Sequence, residues 1–283
     1  MKTKRASDQA PSGTFTPDYL HGYSTKEQDR LYRQARFLES NVFGTIDFSR
    51  QSHILEVGCG VGAQTEILLE RFPKLSVQGL DISDDQIARA RKRLASPIRE
   101  GRCEFGTGNA LTLPFSENSF DGVFICWFLE HVQKPIEILR EIRRTLRANS
   151  VIYCSEVMNA TFYLHPYSPA TLEYWFTFND HQWNLKGDPF VGGKLANYLL
   201  AADYQNVTTE VKVEHFDNRT PKRRAEWISY WTELLLSGAP GLLKAGRVDE
   251  KLIEEMKGEL ERLKHDPDAV FFYSWVQARA EAL

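Results

Sequence analysis

Three glycines at alternating positions mark the segment whose residue types most directly suggest ligand binding. In "GCGVGA", residues 58–63, Gly58, Gly60 and Ala63 fit the dinucleotide fingerprint, whereas Gly58, Gly60 and Gly62 fit a tighter G-x-G-x-G turn. No G-K-(S/T) follows, so a P-loop is excluded. Glycines between an apolar run and an amphipathic run let a ligand approach the backbone closely. The loop alone therefore predicts a nucleotide-like ligand without identifying it.

Two acidic residues near the loop narrow the choice of ligand. Asp81 ends an apolar run, where a carboxylate can accept hydrogen bonds from both ribose hydroxyls of NAD or of an adenosyl cofactor. Glu56 lies two residues before the first glycine, where it would repel a pyrophosphate and favour a ligand with an ammonium and a sulfonium. S-adenosylmethionine carries both cations and no phosphate. The two acids therefore favour S-adenosylmethionine over a dinucleotide.

The loop and both acids lie where short apolar runs alternate with helical patterns. Between the runs, apolar residues recur at three- and four-residue spacing, Ser83 suits a helix N-cap, and Pro135 suits a first helical turn. Such alternation predicts βαβ units and a doubly wound α/β sheet. The predicted strands are 53–57, 76–80, 103–107, 121–126, 150–157, 206–213 and 271–282.

The segments outside the alternating region differ from it in composition. The sequence has no internal repeat and no long linker, so one domain with a cap is the simplest account, and residues 158–190 read as an aromatic, irregular insertion. The predicted division is a disordered tail at 1–13, a helical cap segment at 14–50, a cofactor-binding core at 51–157, an aromatic substrate-cap insertion at 158–190, a core helix and strand at 191–213, a helical cap insertion at 214–268 and a final core strand at 269–283.

Composition argues against several classes of partner. A net charge of −3 gives no general attraction to nucleic acid, and "KRR" (222–224) with "RAEWISYW" is read as a short solvated helix surface. No apolar run reaches membrane-spanning length, and no secretory signal is recognised. Four widely spaced cysteines favour reduced thiols and a cytoplasmic location, and no zinc-binding spacing occurs. We expect a monomer or homodimer that binds a small molecule.

Several quoted segments together resemble the class I S-adenosylmethionine-dependent methyltransferases. They are "LEVGCGVG", "GLDIS", "GNALTLPFSENSFDGVFICWFLEHV" and "LRAN" before "VIYCSEV". In pattern they are most similar to small-molecule methyltransferases related to quinone-biosynthesis enzymes. The resemblance implies a Rossmann-like, doubly wound, seven-stranded sheet, mostly parallel with its last strand antiparallel, and a helical and aromatic cap. It also implies S-adenosyl-L-methionine as cofactor.

The resemblance assigns cofactor contacts residue by residue. Glu56 and the backbone of Gly58 would hold the methionine ammonium, Asp81 the ribose, and Ile82 the adenine face. Asn109 stands where the family often has an aspartate, and its side-chain carbonyl can still accept a hydrogen bond. The implied cofactor contacts are Tyr23, Glu56, Gly58, Gly60, Gly62, Asp81, Ile82, Asn109, Ala110, Cys126 and Trp127.

The acceptor pocket is expected after the fifth strand. Residues 162–190 hold nine aromatic side chains, and an aromatic wall suits a flat ring or a cation. His131, in "LEH", is read either as a structural residue or as a substrate contact. The predicted substrate contacts are Tyr19, His131, Tyr163, Trp175, Phe178, Asn179 and Trp183, and the possible catalytic bases are His165, Asp180 and His181.

These residues predict an enzyme that transfers a methyl group by in-line displacement to nitrogen or oxygen of an aromatic or amine-containing metabolite, as in secondary metabolism. "CWFLEH" lacks paired acids, so metal independence is expected. C-methylation of a quinone-like substrate and a non-catalytic S-adenosylmethionine-binding protein stay open as alternatives. An NAD-dependent oxidoreductase is disfavoured by Glu56.

Overall fold

The computed structural model describes residues 20–283, so Tyr19 and the tail predicted at 1–13 lie outside the described residues. Five strands form the parallel part of one sheet, in the order β3-β2-β1-β4-β5. The strands are β1 His53–Val57, β2 Ser76–Asp81, β3 Cys103–Thr107, β4 Phe120–Cys126, β5 Leu146–Val157, β6 Tyr163–His165, β7 Gln205–Phe216 and β8 Val270–Ala282.

The sheet has eight strands, so the prediction of seven is wrong by one short strand. β8 pairs antiparallel with β5 along one edge and with β7 along the other. The three-residue β6 pairs with the start of β8, in line with β5 on the same edge. A 3-10 turn at Asn159–Thr161 interrupts this line, and there the Thr161 hydroxyl accepts the backbone N–H of Ser274, at 2.9 Å, in place of a strand partner. The predicted antiparallel last strand is confirmed.

Ten helices accompany the strands in the part of the chain that the structure describes. The Ser83 side chain caps α4, and Pro135 occupies the first turn of α6, as the sequence predicts. The helices are α1 Thr25–Phe37, α2 Glu39–Phe43, α3 Ala63–Arg71, α4 Asp84–Arg93, α5 Ala95–Arg99, α6 Pro135–Thr145, α7 Pro169–Asn184, α8 Leu195–Ala201, α9 Pro221–Lys244 and α10 Glu250–His265.

The insertion at 158–190 is not irregular, because half of it forms the helix α7. Tyr174, Trp175 and Phe178 are buried on one side of this helix, whereas Phe176 remains 64% exposed. The carboxylate of Glu259, from the distant helix α10, accepts the first backbone N–H groups of α7. This cap comes from another part of the chain, whereas Pro169 in the first turn is a local start signal that the sequence analysis did not use.

Helix α9 is also buried more deeply than the sequence predicts. Trp227 and Trp231 are 1% and 2% exposed, so the segment "RAEWISYW" is core rather than a solvated surface. Arg224 is buried as well, and its guanidinium donates to the backbone carbonyls of Asp266 and Ala269, at 2.6 and 2.9 Å. A buried arginine that satisfies backbone acceptors is structural rather than a nucleic-acid contact.

Two hydrophobic cores flank the sheet. One contains Leu55 and Val57 of β1 with apolar residues of α6 and α8, whereas the other joins Ile54 to α1, α3, α4 and the cap helices α7, α9 and α10. In a parallel sheet, ligands bind beyond the carboxyl ends of the strands. Those ends lie under the cap. Within residues 20–283, no helix is long and apolar enough to span a membrane.

Candidate cofactor and acceptor site

A cavity of about 280 Å³ lies beyond the carboxyl ends of β1, β2 and β4 and beneath the cap. It extends from the glycine loop to the aromatic residues of the cap. Many predicted site residues from separate parts of the chain meet on its wall. They are Tyr23, Gly58, Gly60, Asp81, Ile82, Asn109, Ala110, Cys126, Trp127, His131, Trp175 and Phe178.

The three positions of the loop require glycine for different structural reasons. All have positive φ, of +74°, +50° and +73° at Gly58, Gly60 and Gly62, which favours glycine. A Cβ on Gly58 would come within 2.5 Å of the Phe128 ring, and one on Gly62 within 3.1 Å of Ala90 in α4. A Cβ on Gly60 would meet no protein atom within 4 Å, and Gly60 lines the cavity. Gly62 therefore serves helix packing, and Gly60 leaves room for a ligand.

Asp81 is held by the backbone in an orientation suited to binding hydroxyl groups. Its Oδ2 accepts the N–H of Gly60 and its Oδ1 accepts the N–H of Ser83, both at 2.9 Å. Burial raises the pKa of this carboxyl, and the backbone donors oppose that rise. Each oxygen keeps a further lone pair. The side chain can therefore accept from the two hydroxyls of a ribose.

The residues expected around the adenine also lie on this wall. Ile82 is 37% exposed on this wall, so its side chain is accessible to a ligand ring. Asn109 uses its Oδ1 to accept the N–H of Leu111 at 2.9 Å, which closes a local turn. One lone pair of that oxygen is left for a ligand.

Glu56 lies beneath the loop and not on the cavity wall. It is 2% exposed, and the Thr65 hydroxyl of α3 donates to its Oε2. Burial raises its pKa to about 8, the Thr65 hydrogen bond opposes that rise, and Asp81 adds to it. The direct contact with an ammonium group that the resemblance implies therefore stays a prediction. The acid can act on a cationic ligand through its charge where it is ionised.

Two glutamine oxygens supply further acceptors on the cavity wall. Oε1 of Gln64, at the start of α3, and Oε1 of Gln86, in α4, are buried without a hydrogen-bond partner among the described residues, and both residues line the cavity. A buried amide oxygen without a donor is costly unless a ligand supplies one. Together with Asp81 and the space at Gly60, these acceptors fit a ligand rich in N–H and O–H donors, such as an adenosyl amino acid.

The turn after β4 separates the cofactor end of the cavity from the acceptor end. Trp127 adopts φ +51°, a strained value for an aromatic residue, and its N–H donates to the Ser155 carbonyl at 2.9 Å. The buried Glu156 accepts the N–H groups of Phe128 and Leu129, at 3.0 and 2.7 Å. These bonds hold the Trp127 ring over the cavity, 6.5 Å from the ring of Trp275.

Aromatic side chains form the acceptor end of the cavity. The rings of Trp175 and Phe178 stack 5.5 Å apart, and those of Trp231 and Tyr273 lie 4.5 Å apart. We call this set the aromatic chamber; it consists of Trp175, Phe178, Trp227, Tyr230, Trp231, Tyr273 and Trp275. Five of these seven come from α9 and β8, and the sequence analysis missed all five. The Trp227–Trp231 pair at i, i+4 spacing was a signal that could have found α9.

Polar groups at the acceptor end are held in pairs. The Arg30 guanidinium donates to both carboxylate oxygens of Glu27, at 2.6 and 2.7 Å, and Glu130 accepts from Gln182 at 2.7 Å. His131 lies 3.6 Å from Glu130. Neither residue was predicted to line the site: Arg30 belongs to no recognisable motif, and Glu130 lies in the quoted "LEH" without an assigned role.

Several predicted acceptor-site residues do not reach the cavity. Tyr163 is 52% exposed, Trp183 is 56% exposed, and His165 pairs with Asp268 on the surface at 3.1 Å. Asn179 is buried behind the wall, where its Oδ1 accepts from Asn159 at 2.7 Å. Asp180, which is exposed, and His181 also lie off the wall. This geometry does not favour any of the three predicted bases, His165, Asp180 and His181.

The comparisons with known proteins agree with this geometry. Residues 55–154 match the family model described as a methyltransferase domain. The chain is 34% identical over 110 residues to a demethylmenaquinone methyltransferase of Symbiobacterium thermophilum, covering 38% of this chain and 44% of the relative. It is 27% identical over 146 residues to methyltransferase GfsG of Streptomyces halstedii, covering 51% and 52%. The chain thus spans about half the length of the curated relatives it matches.

A solved structure extends the likeness to most of the fold. The [4+2]-cyclase SpnF superimposes with a TM-score of 0.54 at 19% identity, over 87% of this chain and 82% of that one. The sheet, the glycine loop and the carboxylate at the end of β2 define the class I S-adenosylmethionine-dependent methyltransferase fold. Residues 55–154 match the methyltransferase-domain family and are similar there to quinone-type methyltransferases, and this match together with the fold supports S-adenosyl-L-methionine as the cofactor.

Proposed function

We propose that this chain transfers a methyl group from S-adenosylmethionine to a small acceptor with an aromatic or similarly flat apolar body. One observation carries the proposal: a continuous cavity joins the Gly60–Asp81 end to the aromatic chamber. When bound, the cofactor supplies an electrophilic methyl group on a sulfonium, with a neutral thioether as leaving group. Alignment of two reactants can contribute about 7–11 kcal/mol to such a reaction.

Residues at the cofactor end would bind and orient the methyl donor. Asp81 would accept from the ribose, Ile82 would pack on the adenine, and the Gln64 oxygen would accept from the ammonium group. A cationic ligand would favour the ionised form of the buried Glu56 carboxyl, whose pKa is raised to about 8 without the ligand. Trp127 would lie between the methyl donor and the acceptor and would fix the direction from which the acceptor approaches the methyl group.

The aromatic chamber supports an acceptor that is flat and without strong charge. Indole and phenyl faces cover apolar area and stack on rings. Because the positive charge of Arg30 is compensated by Glu27, the chamber offers no strong attraction to an anionic acceptor. We propose nitrogen or oxygen of an aromatic metabolite as the methylated atom. The similarity to a demethylmenaquinone methyltransferase favours a second candidate, methylation of carbon in a quinone-like ring.

We also propose that the reaction needs no metal ion. The residues from 20 to 283 include no group of three or more histidine, cysteine or acidic side chains that could hold one. The four cysteines are free, which suits a reducing compartment such as the cytoplasm. We further propose that the protein acts as a monomer or homodimer and binds no nucleic acid.

Calorimetry and an acceptor panel test the proposed function. We expect S-adenosylmethionine to bind and NAD not to bind. We also expect methylated products from phenols, aromatic amines or quinols, detected by mass spectrometry, with EDTA leaving the rate unchanged. Binding of NAD alone would contradict the proposal. Binding of S-adenosylmethionine without any product would favour a non-catalytic protein or another reaction on the same fold, since SpnF is named a cyclase.

A further inference from the structure

One edge of the sheet is formed by a long strand whose outer side is unpaired. β7 pairs with β8 on its inner side, and among residues 20–283 no strand pairs with its outer side. It has twelve residues, whereas β3 at the opposite edge has five. The outer N–H and C=O groups of such a strand can pair with a further strand. None of its residues lines the cavity, so this edge is separate from the acceptor site.

One face of β7 carries β-branched side chains that are open to solvent. Thr209, Val211 and Val213 alternate along this face, and the two valines are 59% and 51% exposed. The pairing of β7 with β8 is regular from Thr208 onward, after an irregularity at its start. Cross-strand contacts between such side chains contribute to the stability of a sheet. A strand added at this edge would therefore cover part of both valines.

The opposite face of β7 carries a negative and a positive side chain two positions apart. Lys212 donates to Oε2 of Glu210 at 2.6 Å and to the hydroxyl of Thr45 at 2.9 Å. An ammonium group has three N–H donors, so one is left for a further acceptor. The side chain of Glu210 is 56% exposed, so it is accessible to a cation on an added strand.

One register lets a second copy of β7 pair so that these exposed charges meet their opposites. Directly opposite residues of an antiparallel pair lie on the same face, so the two-fold axis of a symmetric pair passes through a residue. An axis at Val211 places Glu210 opposite Lys212 of the second copy, on both sides of the axis. An axis at Glu210 or at Lys212 would place like charges opposite each other. An axis at Val213 would require Glu214, which is only 4% exposed.

We propose that two copies of this chain associate through β7, antiparallel and centred on Val211, so that one sheet continues across the dimer. On the apolar face, Val211 meets its own counterpart, and Val213 meets Thr209 of the second copy. On the other face, the two pairs of Glu210 and Lys212 join into a group of four alternating charges. The partner is a second copy because the charge pattern of this strand is complementary to itself.

Analytical ultracentrifugation of the purified full chain tests the association. We expect the wild type to sediment as a dimer. Glu210→Lys places lysines opposite each other on both sides of the axis and should raise the dissociation constant about tenfold. Adding Lys212→Glu restores opposite charges and should return the dissociation constant to within about threefold of the wild type. Glu254→Lys makes the same change of charge on the exposed face of α10 and, as the matched control, should leave it unchanged.

A disulfide across the axis tests the register. Val211→Cys would place two thiols opposite each other, with Cα atoms about 4.5–5.5 Å apart, which suits a disulfide. Val213→Cys, at a similarly exposed site, would hold its two Cα atoms about 14 Å apart and is the matched control. On oxidation we expect a linked dimer in the first variant and not in the second. The four native cysteines are free, and the wild type measures any linking through them.

Several outcomes would overturn the proposal. A monomer at every concentration would do so, as would a dimer that Glu210→Lys leaves unchanged. Absence of a linked dimer in Val211→Cys, or equal linking in Val213→Cys, would also overturn it. Circular dichroism verifies that each variant folds, and S-adenosylmethionine affinity should stay within about twofold, because β7 lies outside the cavity. Failure of methyl transfer would leave the dimer standing, since the association does not use the cofactor.

Discussion

The two ends of the cavity are built by different means. The cofactor end consists of loops that directly follow β1, β2 and β3, and it uses backbone groups with a few side chains such as Asp81. The acceptor end gathers rings from α7, α9 and β8 and His21 from before α1. One end is therefore a property of short contiguous segments, and the other depends on how distant helices pack. Substitutions at the two ends should therefore differ in their effects on stability and on cofactor binding.

The largest expected effect concerns the aromatic chamber. Trp231→Ala removes a ring that contacts Phe162, Trp175 and Tyr273, and it should lower the free energy of unfolding by about 3–5 kcal/mol. Trp183→Ala, at 56% exposure, should change it by about 0.5 kcal/mol or less. Urea denaturation measures both. Equal effects of the two variants would mean that the chamber is not part of the folded core.

The second prediction concerns the glycine loop. Gly58→Ala should destabilise the protein by about 2–3 kcal/mol and abolish measurable cofactor binding, because its Cβ would meet Phe128 at 2.5 Å. Gly101→Ala is the matched control, since Gly101 has a similar φ of +71° and open space around it. That control should lose about 1 kcal/mol and retain binding. Loss of binding in both variants would show that backbone strain alone, rather than the contact with Phe128, abolishes cofactor binding.

The third prediction concerns the ribose-binding carboxylate. Asp81→Ala should weaken S-adenosylmethionine binding more than tenfold, or about 1.4 kcal/mol, by calorimetry. Asp81→Asn keeps one acceptor oxygen and should lie between the wild type and the alanine variant. An unchanged affinity in Asp81→Ala would remove the ribose assignment. Neither variant should alter the aromatic chamber.

The smallest expected effect concerns Glu56 and pH. Because its pKa is raised to about 8 in the folded protein, the folded state holds this proton more tightly than the unfolded chain. The stability that Glu56 contributes is present at acidic pH and is lost as the pH rises from about 4.5 towards 8. Glu56→Gln should therefore stabilise the ligand-free protein by about 1 kcal/mol at pH 8.

Thermal melts with and without S-adenosylmethionine complete this test. The wild type should gain more from the ligand than Glu56→Gln does, because the ionised acid favours a cation. An equal gain would show that Glu56 does not act on the cofactor. Glu156, whose pKa burial also raises to about 8, adds a similar pH slope to both proteins and does not affect the difference.

The sequence predicted the core well because its patterns are local. The strands at 53–57 and 103–107 have the predicted bounds, and Ser83 caps its helix. The α7 prediction failed although Pro169 in its first turn is a local start signal, and the Glu259 cap lies elsewhere in the chain. The exposed face of α7 also carries aromatic residues, Phe176 and Trp183, so apolar residues do not recur at helical spacing in the sequence. The choice of His165, Asp180 and His181 as bases failed to account for which way these side chains would face.

The sequence by itself determined the parallel core, the glycine loop and the Asp81 carboxylate, because each depends on residues adjacent in the chain. Only the tertiary structure decided which aromatic rings form the chamber, that Gly62 serves packing, and that His21 meets Ser237. The physical reason is that helix packing depends on the summed burial of many side chains, and this sum decides which face of a helix turns inward.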